Sequence, residues 1–149
     1  MDLHFYKYQG TGNDFVLIDN RDKIFGNDRD MISHFCHRRF GVGADGLMFL
    51  EKSDNSSFTM RYYNSDGRES TMCGNGGRCI AAFAVHLGVA SVGEYFSFEA
   101  ADGIHEALVE SNTGNQDPFS LNGDVFVSLK MGDVSKVDIM EDGMFLDTG

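Results

Sequence analysis

An uninterrupted apolar run, residues 79–85 (CIAAFAV), constrains this chain more than any other feature of its sequence. At helical spacing such a run leaves no polar face, so it predicts a helix that is buried on all sides. Gly88 predicts the end of this helix. A chain of 149 residues with 42% hydrophobic content can build one domain around such an element.

Alternating and short apolar segments elsewhere predict about eight strands and one further helix. The helix is expected over 28–40, capped by Asn27 or Asp28. One wholly apolar helix and so many strands fit together if the sheet curls round the helix, which is an α+β fold of mostly antiparallel strands. The strands are expected at 3–8, 15–19, 47–51, 58–62, 95–99, 104–109 and 125–129, with a polar stretch over 111–122.

The turn before the buried helix, residues 72–77 (MCGNGG), contains a candidate catalytic group. Glycines let backbone N–H groups approach a ligand closely, and a helix N-terminus attracts anions. A thiol at this position favours its thiolate form, so Cys73 is a candidate base. A lone cysteine is more often a small buried hydrophobe. The neighbouring polar turn 64–67 (NSDG) favours the catalytic interpretation, because it adds further polar groups.

Four segments, occurring in order, resemble the diaminopimelate epimerases, cofactor-independent enzymes that invert the α-carbon of a diamino diacid. They are residues 10–15 (GTGNDF), 39–46 (RFGVGADG), 63–67 (YNSDG) and 73–79 (CGNGGRC). The resemblance implies the curled sheet around a central helix. It also implies conversion of LL-diaminopimelate to the meso isomer in lysine biosynthesis.

The resemblance assigns roles to five residues. Cys73 is one of two cysteines that remove and return the α-proton, while Asn13 and Asn64 hold polar groups of the substrate. Gly74 and Asn75 donate to its α-carboxylate. Neither pyridoxal phosphate nor a metal is implied, and the full-length enzyme is expected to be a homodimer.

The second base is not expected within this chain. Six residues separate Cys73 from Cys79, and on a helix this spacing means about 9 Å of rise and ~240° of rotation. Cys36 belongs to another predicted helix with no ligand-binding turn beside it. Family members carry a second, pseudo-symmetric domain with its own cysteine. We therefore expect residues 1–131 to form the N-terminal epimerase domain and 132–149 to begin the second domain, the rest of which is absent here.

Charge and composition exclude several other classes of function. A net charge of −11 disfavours nucleic acid and anionic membranes as partners. Three cysteines do not make a disulfide scaffold, and the N-terminal residues lack the pattern of a signal peptide. A cytoplasmic location is therefore expected. Two alternatives remain open: another isomerase of this architecture, proline-racemase-like or phenazine-biosynthesis-like, and a non-catalytic ligand-binding module.

Overall fold

Two helices and ten strands lie in the part of the chain that the computed structural model describes, residues 3–110, 125–132, 137–140 and 143–146. None of the helices in these ranges is long and apolar enough to cross a membrane. The predicted polar stretch 111–122 lies outside the described residues. In chain order the elements are β1 Tyr6–Gly10, β2 Asn13–Asp19, α1 Arg29–Cys36, β3 Gly46–Glu51, β4 Phe58–Asn64, β5 Glu69–Ser70, α2 Gly74–His86, β6 Tyr95–Ala100, β7 Gly103–Glu110, β8 Phe126–Leu129, β9 Val137–Met140 and β10 Gly143–Leu146.

Eight strands form one mixed sheet in the order β1-β2-β3-β4-β6-β7-β8, with β5 paired to β4. All pairings in this sheet are antiparallel except β2–β3 and β4–β6. Helix α2 contacts β1 at one end of the order and β8 at the other, so the sheet curls round it. The predicted fold class, a mostly antiparallel curled sheet around one apolar helix, is confirmed. Strands β9 and β10 pair with each other in a separate antiparallel sheet.

Helix α2 is buried as its sequence predicts. Every residue from Cys79 to Ala84 is buried, and Phe83 has no exposed surface. The helix ends at His86, and Gly88 follows with a φ of +70°. A glycine adopts this left-handed conformation without the steric cost that other residues meet. The largest core cluster surrounds this helix and includes Phe15, Phe58 and Phe98.

Strands β2 and β3 are each covered on both faces, which explains their uninterrupted apolar runs. On β2, Phe15 and Leu17 join the core around α2, whereas Val16 and Ile18 belong to a second cluster on the other face. Helix α1 covers that second face with Ile32 and Cys36. The sheet is therefore a layer between the two helices at this point.

Helix α1 ends earlier than predicted: it covers Arg29–Cys36 and not 28–40. Asp28 caps its N-terminus, as expected, by accepting a hydrogen bond from the Met31 N–H. The helix ends because the loop supplies other donors to its last carbonyl groups: Gly43 N donates to Phe35 O and Ala44 N to Cys36 O, both at 3.0 Å. The hydrophobic periodicity of a sequence does not show that N–H groups of a later loop will take the last carbonyl groups of a helix.

Strand β1 also differs from its predicted bounds of 3–8, since it covers Tyr6–Gly10. It continues into a tight hairpin, in which Gly10 pairs with Asn13 and only Thr11 and Gly12 lie between the strands. Both turn residues have positive φ, +53° and +84°. This is the left-handed geometry of the two-residue hairpin turn, whose twist matches that of the flanking strands.

Candidate active site

The register of three neighbouring strands brings the predicted site residues to one edge of the sheet. Phe15 of β2 pairs with Gly46 of β3, and Gly46 pairs with Asn64 of β4. The start of β2, the start of β3 and the end of β4 therefore lie side by side. The N-terminus of α2 lies at the same edge, because Gly10 is packed against the backbone of Asn75.

Cys73 caps the N-terminus of α2 with its own thiol. Its Sγ accepts a hydrogen bond from the Gly76 N–H at 3.3 Å, and the residue is half-buried. A Cβ at position 76 would lie 3.1 Å from this sulfur, so glycine keeps the contact open. The N–H groups of Gly74 and Asn75 make no hydrogen bond to another described residue. A thiol sulfur and two available donors thus occupy one helical turn.

Asn13 and Asn75, predicted to contact the substrate, meet each other at this turn. Asn75 Nδ2 lies 3.4 Å from Asn13 Oδ1. Asn13 Nδ2 in turn donates to Asp45 Oδ2 at 2.7 Å. Asn75 Oδ1 accepts hydrogen bonds from the Thr11 hydroxyl, at 2.9 Å, and from the Arg78 guanidinium. The two amides therefore belong to one hydrogen-bonded network.

Asn64 lies at the same sheet edge but outside this network. Its backbone N–H donates to Arg68 O and its carbonyl accepts from Gly67 N, both at 2.9 Å, which closes the turn after β4. Its exposed side chain makes no hydrogen bond within the described part of the chain. The amide is available to a ligand, and its predicted role stays a prediction.

A group of charged residues joins the network through Asp45, and no sequence pattern had indicated these contacts. Arg38 bridges two carboxylates, Asp14 and Asp45, at 2.8 Å each, and Lys7 adds a second ion pair to Asp14 at 2.8 Å. The Arg38 guanidinium, with Lys7, holds the pKa of Asp14 well below its usual range. The positions of Asp14 and Asp45 could have indicated a role at the site, because these residues lie inside the motif segments 10–15 and 39–46.

Tyr62 is a further residue near the site that no sequence pattern had indicated. It packs against the main core beside Cys73, and a Cβ at Gly46 would lie 2.5 Å from its ring. Burial is the main cause that raises the pKa of Tyr62 to about 12.

Comparison with known protein families identifies the family to which this chain belongs. The family model for diaminopimelate epimerase matches residues 5–137. The chain belongs to the diaminopimelate epimerase family. A diaminopimelate epimerase of Flavobacterium psychrophilum is 46% identical over 148 residues, covering 99% of this chain and 52% of the relative. One from Chlorobaculum tepidum is 47% identical over 100 residues, covering 67% and 39%. The chain spans about half the length of the curated relatives it matches.

Solved structures share the fold at low identity. A phenazine biosynthesis protein of the PhzF family from Bacillus anthracis superposes with a TM-score of 0.64 at 17% identity, covering 93% of this chain and 42% of that one. A hydroxyproline epimerase from Agrobacterium vitis gives 0.60 at 14% identity, covering 95% and 46%. These likenesses show that this chain shares its fold with both proteins.

The other two cysteines lie in apolar surroundings that disfavour a thiolate. Cys79 is buried in the core around α2, and burial raises its pKa to about 12. Cys36 is buried in the cluster beneath α1, on the opposite face of the sheet, and burial raises its pKa to about 11. Cys36 also lies near the charges of Lys7, Asp14, Arg38 and Asp45, but burial is the largest influence on its pKa.

We expect iodoacetamide at pH 7.5 to alkylate Cys73 at least ~100-fold faster than Cys36 or Cys79. Burial raises the pKa of Cys36 to about 11, about two units above that of an ordinary thiol, and this lowers its thiolate fraction by a factor of about 100. The pKa of Cys79 is raised further, to about 12. Cys73 has the Gly76 N–H to stabilise its sulfur, and it is more accessible than the other two. Peptide mass spectrometry at timed intervals would give the three rates. Equal and slow labelling of all three thiols would contradict the assignment of Cys73 as the reactive one.

Proposed function

We propose that this chain forms the substrate-binding part of a diaminopimelate epimerase and supplies one of its two catalytic bases. Cys73 removes or returns the α-proton on one face of LL-diaminopimelate, and a second cysteine acts on the other face. Gly74 and Asn75 donate to the α-carboxylate, and Asn13 and Asn64 hold polar groups of the substrate. The reaction needs neither pyridoxal phosphate nor a metal.

The observation that carries this proposal is the helix cap made by Cys73. An amino-acid α-proton is a very weak acid, so its removal needs a positioned base and donors that stabilise charge developing on the carboxylate. The Cys73 sulfur and the open N–H groups of Gly74 and Asn75 lie within one turn of α2. A binding module would have no need for a thiol at this place.

The second base is assigned to the part of the relatives that this chain does not span. Support comes from the burial of Cys36 and Cys79, the other thiols of the chain. We propose a domain over 1–131, because the large sheet ends at Leu129 and the following strands pair with each other. A cytoplasmic homodimer acting in lysine biosynthesis completes the proposal for the full-length enzyme.

The test follows α-deuterium and stereochemistry when the 149-residue chain is incubated with LL-diaminopimelate in D₂O. One thiol can remove a proton and return it to the same face, so slow label incorporation with retained configuration is expected, without the meso isomer. Half a cleft also leaves the site wet, which weakens the electrostatic stabilisation of charge on the substrate. Treatment with EDTA should leave the exchange rate unchanged.

Three outcomes would contradict parts of this proposal. Failure of the folded chain both to bind diaminopimelate and to exchange its α-proton would refute the assigned substrate. Formation of the meso isomer at an enzymatic rate, lost in Cys73→Ala, would show that the second base lies in this chain or in a partner copy. Exchange abolished by EDTA and restored by a metal would refute cofactor independence.

A further inference from the structure

The side-chain amides of Asn13 and Asn75 each contact a charged group that can take only one role in a hydrogen bond. A carboxylate only accepts hydrogen bonds at neutral pH and a guanidinium only donates them. The Asn13 atom 2.7 Å from the Asp45 carboxylate is therefore Nδ2. The Asn75 atom in contact with Arg78 is Oδ1. The two remaining atoms, Asn13 Oδ1 and Asn75 Nδ2, face each other at 3.4 Å.

We propose that Asp45 and Arg78 are positioning residues that fix the amide orientations of Asn13 and Asn75, so that the pair presents one acceptor and one donor at the site. An isolated amide side chain can rotate by 180° and exchange its oxygen and nitrogen. Such a rotation of Asn13 would place its oxygen against the Asp45 carboxylate. Rotation of Asn75 would place its NH₂ group against Arg78.

Asp45 is itself held rigidly enough for this role. Its Oδ1 accepts from Arg38 at 2.8 Å, and its Oδ2 also accepts from the Asp14 N–H at 3.2 Å. Its backbone is tied to both neighbouring segments, because its N–H donates to Asp14 O at 2.9 Å and its carbonyl accepts from Ser65 N at 3.1 Å. Four hydrogen-bonded contacts thus leave its carboxylate one orientation toward Asn13.

The polarity of the pair matches an amino-acid ligand, which carries an ammonium and a carboxylate. The contact between Asn13 Oδ1 and Asn75 Nδ2 is long, so a ligand can replace it at little cost. The ammonium then meets the Asn13 oxygen and the carboxylate meets the Asn75 NH₂ group. This recognition step rests on the proposed function, whereas the amide orientations themselves do not.

The experiment compares Asp45→Asn with the reciprocal double variant Asn13→Asp plus Asp45→Asn. The neutral amide at position 45 no longer dictates one orientation, so Asp45→Asn should weaken LL-diaminopimelate binding about tenfold. In the double variant the new amide donates to the new carboxylate, which still presents an oxygen toward Asn75. Binding should return to within about threefold of wild type. Asp22→Asn, at a side chain 80% exposed, is the control for the lost charge.

NMR supplies a readout that needs no ligand. Wild type should show a coupling across the hydrogen bond from Asn13 Nδ2 to the Asp45 carboxyl carbon, and the Asn75 NH₂ signals should move in Asp45→Asn and return in the double variant. If no form binds diaminopimelate while these signals behave as expected, the substrate assignment fails and the positioning roles stand. If Asp45→Asn does not fold, the wild-type coupling and the double variant decide. A missing coupling, or a double variant no better than the single one, would overturn the proposal.

Discussion

Replacing Cys73 with serine should lower the rate of α-deuterium incorporation into diaminopimelate by at least ~100-fold, the lower range of what a positioned base contributes. A serine hydroxyl is a much weaker acid than a thiol and stays protonated, so it offers no base at this position. It can still accept the hydrogen bond from the Gly76 N–H that now goes to Cys73 Sγ. The helix cap is therefore retained while the base is lost.

Cys79→Ala provides the matched control, because it removes a thiol from the same helix. Cys79 is buried in the core and away from the sheet edge, so this variant should keep the exchange rate within about threefold of wild type. Proton NMR of the substrate α-position gives both rates, and circular dichroism confirms that each variant is folded. Equal loss in the two variants, or unchanged exchange in Cys73→Ser, would show that Cys73 is not the base.

Replacing Phe83 with alanine should cost about 3–5 kcal/mol in free energy of unfolding, as is usual when a buried aromatic ring is removed from a core. Phe83 is fully buried on α2, and its ring lies 5.0 Å from Tyr6 and 5.9 Å from Tyr8, measured between centroids. The cavity would open between the central helix and β1. For a chain of this length the melting temperature should fall by roughly 6–20 °C.

Phe40→Ala is the control for the change of residue type, since Phe40 is 75% exposed. Its unfolding free energy should stay within about 0.5 kcal/mol of wild type. Urea titrations followed by circular dichroism would measure both variants. A cost below about 1 kcal/mol for Phe83→Ala would mean that α2 is not the centre of the core.

Local sequence patterns predicted the presence and type of the helices and strands better than the residues at which they begin and end. The apolar run 79–85 was enough to place the buried helix, because no other arrangement hides an apolar surface on every side. The alternation in the other segments gave strands at nearly the right positions. The predicted C-terminus of helix α1 was wrong because the N–H groups of Gly43 and Ala44 donate to its last carbonyl groups. These two residues lie eight positions further along the chain than their acceptors, so the helical periodicity gives no sign of the contacts.

Motif position predicted a set of site residues, and the structure shows which of them lie in contact. Asn13 and Asn75 were chosen for their place in the motif segments, yet their mutual contact depends on a hairpin turn and a helix N-terminus 62 positions apart. Asp45 lies in a glycine-rich segment, where an isolated acid resembles a solvated loop residue. Its contacts with Asn13 and Arg38 become visible only in the structure.

The sequence by itself determined the fold class, the family and the place of Cys73 at the start of the central helix, because each can be inferred from short continuous segments of the chain. Only the tertiary structure decided which strand ends meet. The parallel pairing of β2 with β3 and the antiparallel pairing of β3 with β4 bring Asn13, Asp45 and Asn64 to one edge. Such pairings join residues far apart in sequence, and a local hydrophobic pattern carries no information about their register.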